Sequence, residues 1–129
     1  MPHDPRDGPP TLPRGAEGEK TPSGLEIFDI EIGRGERVVD DRKVRVHFRA
    51  WLANGKLVDD TRLRDGPIEF RVGDGEILAA LDEGVLGMQE GGRRRLIAPA
   101  DLGYGARGSG KVVPPYATLI LDVELVALR

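Results

Sequence analysis

The most informative residues of this chain lie in one loop near the C-terminus. Tyr104 stands between Gly103 and Gly105, and the chain then passes through further glycines to Pro114-Pro115 and a long apolar stretch. Glycine adopts either sign of φ, whereas each proline fixes φ near about −65° and removes an N–H donor. We therefore expect an adaptable loop with a rigid exit, and a phenolic hydroxyl that can donate a hydrogen bond.

Chemistry that needs a nucleophile, a metal or an anion site has little support in the sequence. The chain has no cysteine, and His3 and His47 cannot build a metal site with each other. His47 also has no Ser, Cys or Asp at a catalytic offset, which favours a structural or surface role. The stretch 73–78 resembles a phosphate loop but carries Asp74 and Glu76 and lacks the lysine. We expect neither a metal nor a cofactor.

The charges and the apolar runs of the sequence limit the partners and the location that we expect for this protein. The net charge of −3 comes from 22 acidic and 19 basic residues, so no overall field attracts nucleic acid. The basic run Arg93-Arg94-Arg95 lacks neighbouring aromatic groups, and we interpret it as a solvated sheet face. No apolar run approaches the ~20 residues that span a bilayer, and no signal peptide is visible. We expect a cytoplasmic monomer that binds neither nucleic acid nor membrane.

The composition changes near residue 22. Residues 1–22 hold six of the ten prolines and only three weakly apolar side chains. Such a segment buries too little surface to offset its ordering entropy, so a disordered tail is predicted. The tail is interpreted as a passive extension, with a linker or partner-binding role as the alternative. Residues 23–129 are predicted to form a single domain.

The periodicity of residues 23–129 predicts an α+β fold. Val44, Val46, Phe48 and Ala50 share one face of a strand, and Trp51 lies on the other, where we expect a loop to cover it. Asn54-Gly55 is a strong hairpin signal. Strands are predicted at 25–32, 44–52, 57–58, 68–72, 93–98 and 118–128, and one short helix through Ile77, Leu78, Leu81 and Val85. These elements together predict one short helix packed against a sheet of five or six antiparallel strands.

Five stretches together resemble the FKBP family of peptidyl-prolyl isomerases, the receptors for tacrolimus and rapamycin. They follow the family's order and spacing, and the resemblance extends from Ser23 to Arg129; the stretches are 44–48, 54–59, 73–78, 83–88 and 103–124. The resemblance implies a curved antiparallel sheet wrapped around the short helix. It also implies isomerisation of X–Pro bonds in proline-containing polypeptides.

The resemblance assigns roles to particular residues. The Tyr104 hydroxyl and the Leu78 N–H would donate to substrate carbonyls, and Asp59 would be a polar group at the pocket wall. Leu81 would form the pocket floor, and Val112-Val113 would form a mobile lip. The implied substrate-binding residues are Phe48, Val58, Ile68, Phe70, Ile77, Leu81, Val112, Val113 and Leu121. Ordinary core residues are the alternative, and Phe70 and Leu121 are expected to be largely core as well.

The sequence departs from the family at five aromatic positions. Phenylalanine replaces tyrosine at Phe48, and a leucine replaces tryptophan at Leu81. Aliphatic residues replace phenylalanines at Val58, Ile68 and Leu121. We expect a wider cavity with less ring stacking, reduced isomerase activity and weak binding of tacrolimus or rapamycin.

Two other classes of function remain open at this point. A non-catalytic prolyl-peptide binding or chaperone module could use the same scaffold, and the leucine at Leu81 favours it. Asp59 and Tyr104 favour the enzyme. A third hypothesis is a structural or interaction domain whose proline-rich tail recruits a partner.

Overall fold

The computed structural model describes residues 3–129, which form one antiparallel sheet and a short α-helix. The strands are β1 (Gly18–Lys20), β2 (Glu26–Glu31), β3 (Lys43–Leu52), β4 (Leu57–Asp60), β5 (Ile68–Arg71), β6 (Arg93–Ala98) and β7 (Leu119–Leu128), and the helix is α1 (Ala79–Gly84). The α+β class is therefore confirmed. Within the described residues the sheet has seven strands. The additional strand is β1, which lies in the segment predicted to be disordered.

Strand β3 organises the sheet. The strand order is β1-β2-β6-β7-β3-β4. Strand β5 lies off this path and pairs directly with residues 43–46 of β3, whereas β4 pairs with residues 49–51. The hairpin predicted at Asn54-Gly55 is confirmed, since Gly55 has φ 91° and β3 pairs antiparallel with β4. The Leu52 N–H donates to the Lys56 carbonyl at 2.9 Å across this turn. The hairpin thus delivers the end of β4 to the same part of the molecule as the middle of β3.

The inner face of the sheet packs on α1. Alternate β3 residues from Val44 to Ala50 are buried there, as the period-two pattern predicts. Gly84 lets the helix approach β6, because a Cβ on it would lie 2.3 Å from Leu96 Cδ1. The predicted helical stretch is wrong at its start, since Ile77 and Leu78 precede the first helical residue. Leu78 has ψ 135°, which is not helical.

The arginine run on β6 is not a solvated face. Arg94 and Arg95 are 9% and 6% exposed, respectively, while Arg93 is exposed. Arg95 pairs with Asp122 on the adjacent β7 at 2.6 Å, and Arg94 pairs with Asp29 on β2 at 2.7 Å. Arg94 also donates to the carbonyls of Gly84 and Leu86 at the end of the helix. Each carboxylate stands opposite its arginine in the strand register, a relationship between distant residues that the run itself does not reveal.

Residues 3–20 contact the domain through their backbone, and the prediction that residues 1–22 form a disordered tail stays a prediction. Strand β1 pairs antiparallel with β2. The Trp51 indole N–H donates to the Pro5 carbonyl at 2.7 Å, and Trp51 is fully buried, as the expectation of a covering loop requires. The segment lacks apolar side chains, but its backbone carbonyls meet buried donors of the sheet. The division of the chain at residue 22 stays a prediction.

Candidate functional site

Two adjoining cavities open between β3, β4, the start of α1 and the loop after Tyr104. Their volumes are about 250 Å³ and about 580 Å³. Phe48 from β3 and Leu78 from the helix start line both cavities. Asp59, Arg64 and Tyr104 also line both and supply the polar atoms between them. The arrangement is a bilobed pocket with aliphatic and aromatic walls and a polar group at its middle; the exposed Glu69 and Glu76 also line the larger lobe.

The polar group is built around Asp59, the third residue of β4. Arg64 Nε lies 3.0 Å from Asp59 Oδ1, and Arg64 Nη2 donates to Asp59 Oδ2 at 3.1 Å. A guanidinium that engages both carboxylate oxygens fixes the orientation of the carboxylate as well as offsetting its charge. The 3-10 turn Thr61–Leu63 lies between the two residues and brings Arg64 back towards β4.

Tyr104 follows the 3-10 turn Ala100–Leu102. The Gly105 N–H donates to the Ala100 carbonyl at 2.8 Å, which fixes the backbone on the C-terminal side of the tyrosine. Burial, and secondarily the negative charge of Asp59, raises the pKa of the Tyr104 hydroxyl. The hydroxyl therefore stays protonated at neutral pH. It can act as a hydrogen-bond donor towards the cavity but not as a base.

The start of α1 contributes the apolar floor and a backbone donor. Leu78 is the N-cap residue of the helix, and its N–H makes no hydrogen bond within residues 3–129. Leu81 is 1% exposed and lines the larger cavity with Ile77 and Ile68. The structure therefore brings the free N–H and the apolar floor to the same cavity wall.

The lip of the smaller cavity is a tight turn. The Ser109 N–H donates to the Val113 carbonyl at 2.8 Å, and the Val113 N–H donates back to the Ser109 carbonyl at 3.1 Å. Val113 is buried, whereas Val112 is 46% exposed. Gly108 has φ 68°, and a Cβ on it would lie 2.2 Å from the Val113 carbonyl oxygen. The close approach needs glycine, so the shape of the lip depends on Gly108.

Ten of the twelve predicted site residues line the cavities. They are Phe48, Val58, Asp59, Ile68, Ile77, Leu78, Leu81, Tyr104, Val112 and Val113. Phe70 and Leu121 instead lie in the hydrophobic core, at 1% and 0% exposed.

Sequence reasoning missed several residues that line the cavities. They are Ala50, Arg64, Glu69, Glu76 and Ser109. Ala50 could have been found, because it shares the strand parity of Phe48. The approach of Arg64 to Asp59 depends on the intervening 3-10 turn, for which the sequence gives no distinct signal.

The side chains that line the cavities suit non-covalent binding of an apolar group rather than covalent or metal chemistry. Its lining contains no serine, histidine or carboxylate arranged as a nucleophile and base; Ser109 contributes its backbone to the lip turn. Among the described residues no group of three or more His, Asp or Glu side chains could hold a metal. None of the described helices is long and apolar enough to span a membrane. The pocket can hold an apolar ring while donating hydrogen bonds from Tyr104 and Leu78.

Comparison with known proteins identifies the family. The family model described as FKBP-type peptidyl-prolyl cis-trans isomerase matches residues 35–126. An FK506-binding protein of Neisseria meningitidis serogroup B is 44% identical over 103 residues, covering 80% of this chain and 94% of the relative. FK506-binding protein 1 of Dictyostelium discoideum is 41% identical over 106 residues, covering 82% and 99%. The chain belongs to the FKBP-type peptidyl-prolyl cis-trans isomerase family.

Solved structures show the same fold. The crystal structure of AtFKBP13 superposes with a TM-score of 0.80 at 32% identity, covering 88% of this chain and 99% of that one. The N-terminal domain of FKBP42 from Arabidopsis thaliana superposes with a TM-score of 0.85 at 29% identity, covering 95% and 98%. The coverage on both sides means that the likeness extends over nearly the whole domain, including the elements that surround the cavity.

Proposed function

We propose that this protein is a peptidyl-prolyl cis-trans isomerase that acts on X–Pro bonds in flexible or folding polypeptides. The observation that carries the proposal is the apolar cavity in which Tyr104 and the unpaired Leu78 N–H stand beside the Asp59–Arg64 pair. Membership of the family supports the same reaction class.

The reaction needs no acid, base or nucleophile. Rotation about the X–Pro bond must overcome a barrier of roughly 18–20 kcal/mol because amide resonance is lost. The twisted amide is less dipolar than the planar one, so an apolar cavity disfavours the ground state relative to the transition state. The lining by Val58, Ile68, Ile77, Leu81 and Val113 supplies this environment.

The polar residues hold the substrate while the bond rotates. The Tyr104 hydroxyl and the Leu78 N–H each donate to a carbonyl flanking the proline, which fixes the chain on both sides of the rotating bond. Asp59, held by Arg64, forms the polar wall beside the ring. Leu81 contacts the proline ring from below. The aliphatic floor gives less contact than an aromatic ring would, so we expect modest turnover.

A refolding assay limited by proline isomerisation tests the proposal. Catalytic amounts of the protein should accelerate the slow phase, and Tyr104→Phe should lower kcat/KM by about 2- to 10-fold, the loss expected for one neutral hydrogen bond. Tyr116→Phe is the matched control, because Tyr116 lies in the same loop but is 76% exposed and lines neither cavity. Absence of acceleration even at stoichiometric protein would contradict the proposal.

The alternative function is a binding or chaperone module without turnover. The replacement of an aromatic floor by Leu81 favours it, because a loosely held ring weakens the positioning on which catalysis depends. The two functions separate in one experiment. A proline-containing peptide would bind the module at the cavity while the refolding rate stayed unchanged, whereas binding and acceleration would occur together in the enzyme.

We also propose weak binding of tacrolimus in the larger cavity. The relatives named FK506-binding proteins support the ligand class, and the aliphatic Leu81 is the reason for weakness. Leu81→Trp should tighten binding by about 5- to 150-fold, since a better-filled floor contributes roughly 1–3 kcal/mol. The large cavity leaves room for the indole. Calorimetric titration of both proteins, with circular dichroism to confirm folding, measures the effect; equal affinities would show that position 81 does not contact the drug.

A further inference from the structure

The face of the sheet turned away from α1, here called the outer face, holds a second set of donors aimed at a peptide backbone. Trp51 is fully buried, and its indole N–H donates to the Pro5 carbonyl at 2.7 Å. Arg95 is 6% exposed, and its Nη2 donates to the Pro10 carbonyl at 2.8 Å. The two donors lie on different strands, β3 and β6. They bind the carbonyls of Pro5 and Pro10, which are five residues apart in the segment.

The chemistry of this face suits a proline-rich segment. Pro5, Pro9 and Pro10 are half-buried against it. Proline has no N–H, so a proline-rich segment presents carbonyl acceptors and apolar rings with few donors of its own. The Trp51 indole N–H and the Arg95 guanidinium supply donors to two of these carbonyls. Between the two contacts the segment forms a 3-10 turn at Pro5–Asp7 rather than an extended strand.

Gly8 has a positive φ that favours glycine, and it lies in van der Waals contact with the β3–β4 turn. It is buried with φ 98°, and a Cβ on it would lie 3.6 Å from both the Cα and the carbonyl oxygen of Gly55 in the β3–β4 turn. A β-branched side chain is strained at this φ and would also press on the turn. The segment is therefore held by its backbone, with a glycine at the point of nearest contact.

We propose that the outer face between Trp51 and Arg95 is a binding groove for a proline-rich segment, with residues 4–10 of this chain as its occupant. The groove is separate from the isomerase cavity, because Trp51 and Arg95 line neither lobe. Covalent linkage gives the resident segment a high effective concentration, so it fills the groove in cis. The same sequence supplied as a free peptide binds when the resident segment is displaced.

The chain has a single tryptophan, so the fluorescence of Trp51 reports occupancy directly. In the full-length chain, Gly8→Val should shift the emission to the red and increase acrylamide quenching. Gly15→Val is the matched control: Gly15 has φ 83° in the same segment, but a Cβ added to it would meet no atom within 4 Å, so the emission should stay at the wild-type wavelength. Gly8→Ala, with a smaller side chain, should give the same shift to a lesser extent if Gly8→Val folds poorly.

Addition of a synthetic peptide of residues 3–13 separates a binding groove from a merely folded terminus. The peptide should return the Gly8→Val emission saturably towards wild type and leave the wild-type protein unchanged. A scrambled peptide of the same composition should have no effect. Isomerase turnover should be equal in the wild-type, Gly8→Val and Gly15→Val proteins, since the cavity lies on the other face. Unchanged emission in Gly8→Val, or no recovery with the peptide, would overturn the proposal.

Discussion

The two faces of the sheet use the same strands for opposite purposes. On the inner face, Phe48 and Ala50 border a cavity that is left partly unfilled. On the outer face, the intervening β3 residues Arg49 and Trp51 have partners within the chain: Arg49 pairs with Asp60 at 2.8 Å, and Trp51 binds Pro5. The inner face leaves an apolar cavity open, whereas the outer face at Trp51 and Arg95 is covered by the N-terminal segment. On the outer face, Arg49 and Arg95 form ion pairs with the carboxylates of Asp60 and Asp122, respectively.

The outer face nevertheless positions the polar group of the pocket. Buried Thr61 hydrogen bonds to the Phe48 N–H at 3.0 Å and to His47 Nδ1 at 2.8 Å. Asp60 accepts from Arg49 and from the Arg62 N–H. Both residues belong to the short connection that joins Asp59 to Arg64. The hydrogen bonds of the outer face therefore hold the turn from which the inner ion pair projects.

The largest effect should come from breaking the buried ion pair of the outer face. Arg95→Ala leaves Asp122 without its partner and frees the Pro10 carbonyl, so we expect a loss of about 3–5 kcal/mol in the free energy of unfolding. Arg93→Ala is the matched control, because the side chains of the Arg93–Glu31 pair are 48% and 60% exposed. Its loss should be at most about 1 kcal/mol. Urea denaturation measures both; equal losses would show that burial does not distinguish the pairs.

A smaller effect, confined to the inner face, should follow from Gly108→Ala. The added Cβ collides with the Val113 carbonyl and must displace the lip, so kcat/KM should fall by about tenfold or more while most of the stability remains. Gly110→Ala, with φ 53° and open space around a Cβ, carries similar backbone strain without the collision. Its turnover should stay within about threefold of wild type. Equal turnover in the two variants would indicate that the lip does not shape the site.

The smallest effect should be a pH dependence that originates on the outer face. Burial, and secondarily the positive charge of Arg62, lowers the pKa of His47, with Arg49 acting in the same direction and Glu124 and Asp60 opposing. The unfolded chain therefore takes up the proton at a higher pH than the folded one. Stability should fall as the pH drops through the ordinary histidine range near about 6.5, and level off below the folded pKa.

His47→Gln removes this titration while keeping a group that can hydrogen bond to Thr61. The variant should show a flatter dependence of unfolding free energy on pH between about 5 and 7 than the wild-type protein. Denaturation midpoints collected across this range measure the slope. A slope that persists unchanged in the variant would assign the pH dependence to groups other than His47.

The sequence by itself determined strands β2 to β7 and most of the pocket lining, but not β1 or the start of α1. Strict alternation along residues 44–50 predicts a strand with one buried face, and Asn54-Gly55 predicts its hairpin, because both signals are local. The spacing of the family-like stretches predicts residues that line the cavities, such as Tyr104 and Leu78. Local periodicity could not separate Phe70 and Leu121 from the lining, since core and pocket residues share the same apolar chemistry.

The tertiary structure alone decided how the polar groups are matched. Arg64 meets Asp59 only because a 3-10 turn reverses the chain, and Arg95 is buried only because strand register sets Asp122 opposite it. The carbonyls of the N-terminal segment meet Trp51 and Arg95, although the side chains of the segment itself give no sign of these contacts. Each of these outcomes depends on hydrogen bonds between distant residues, and such partners leave no periodic signal in either segment.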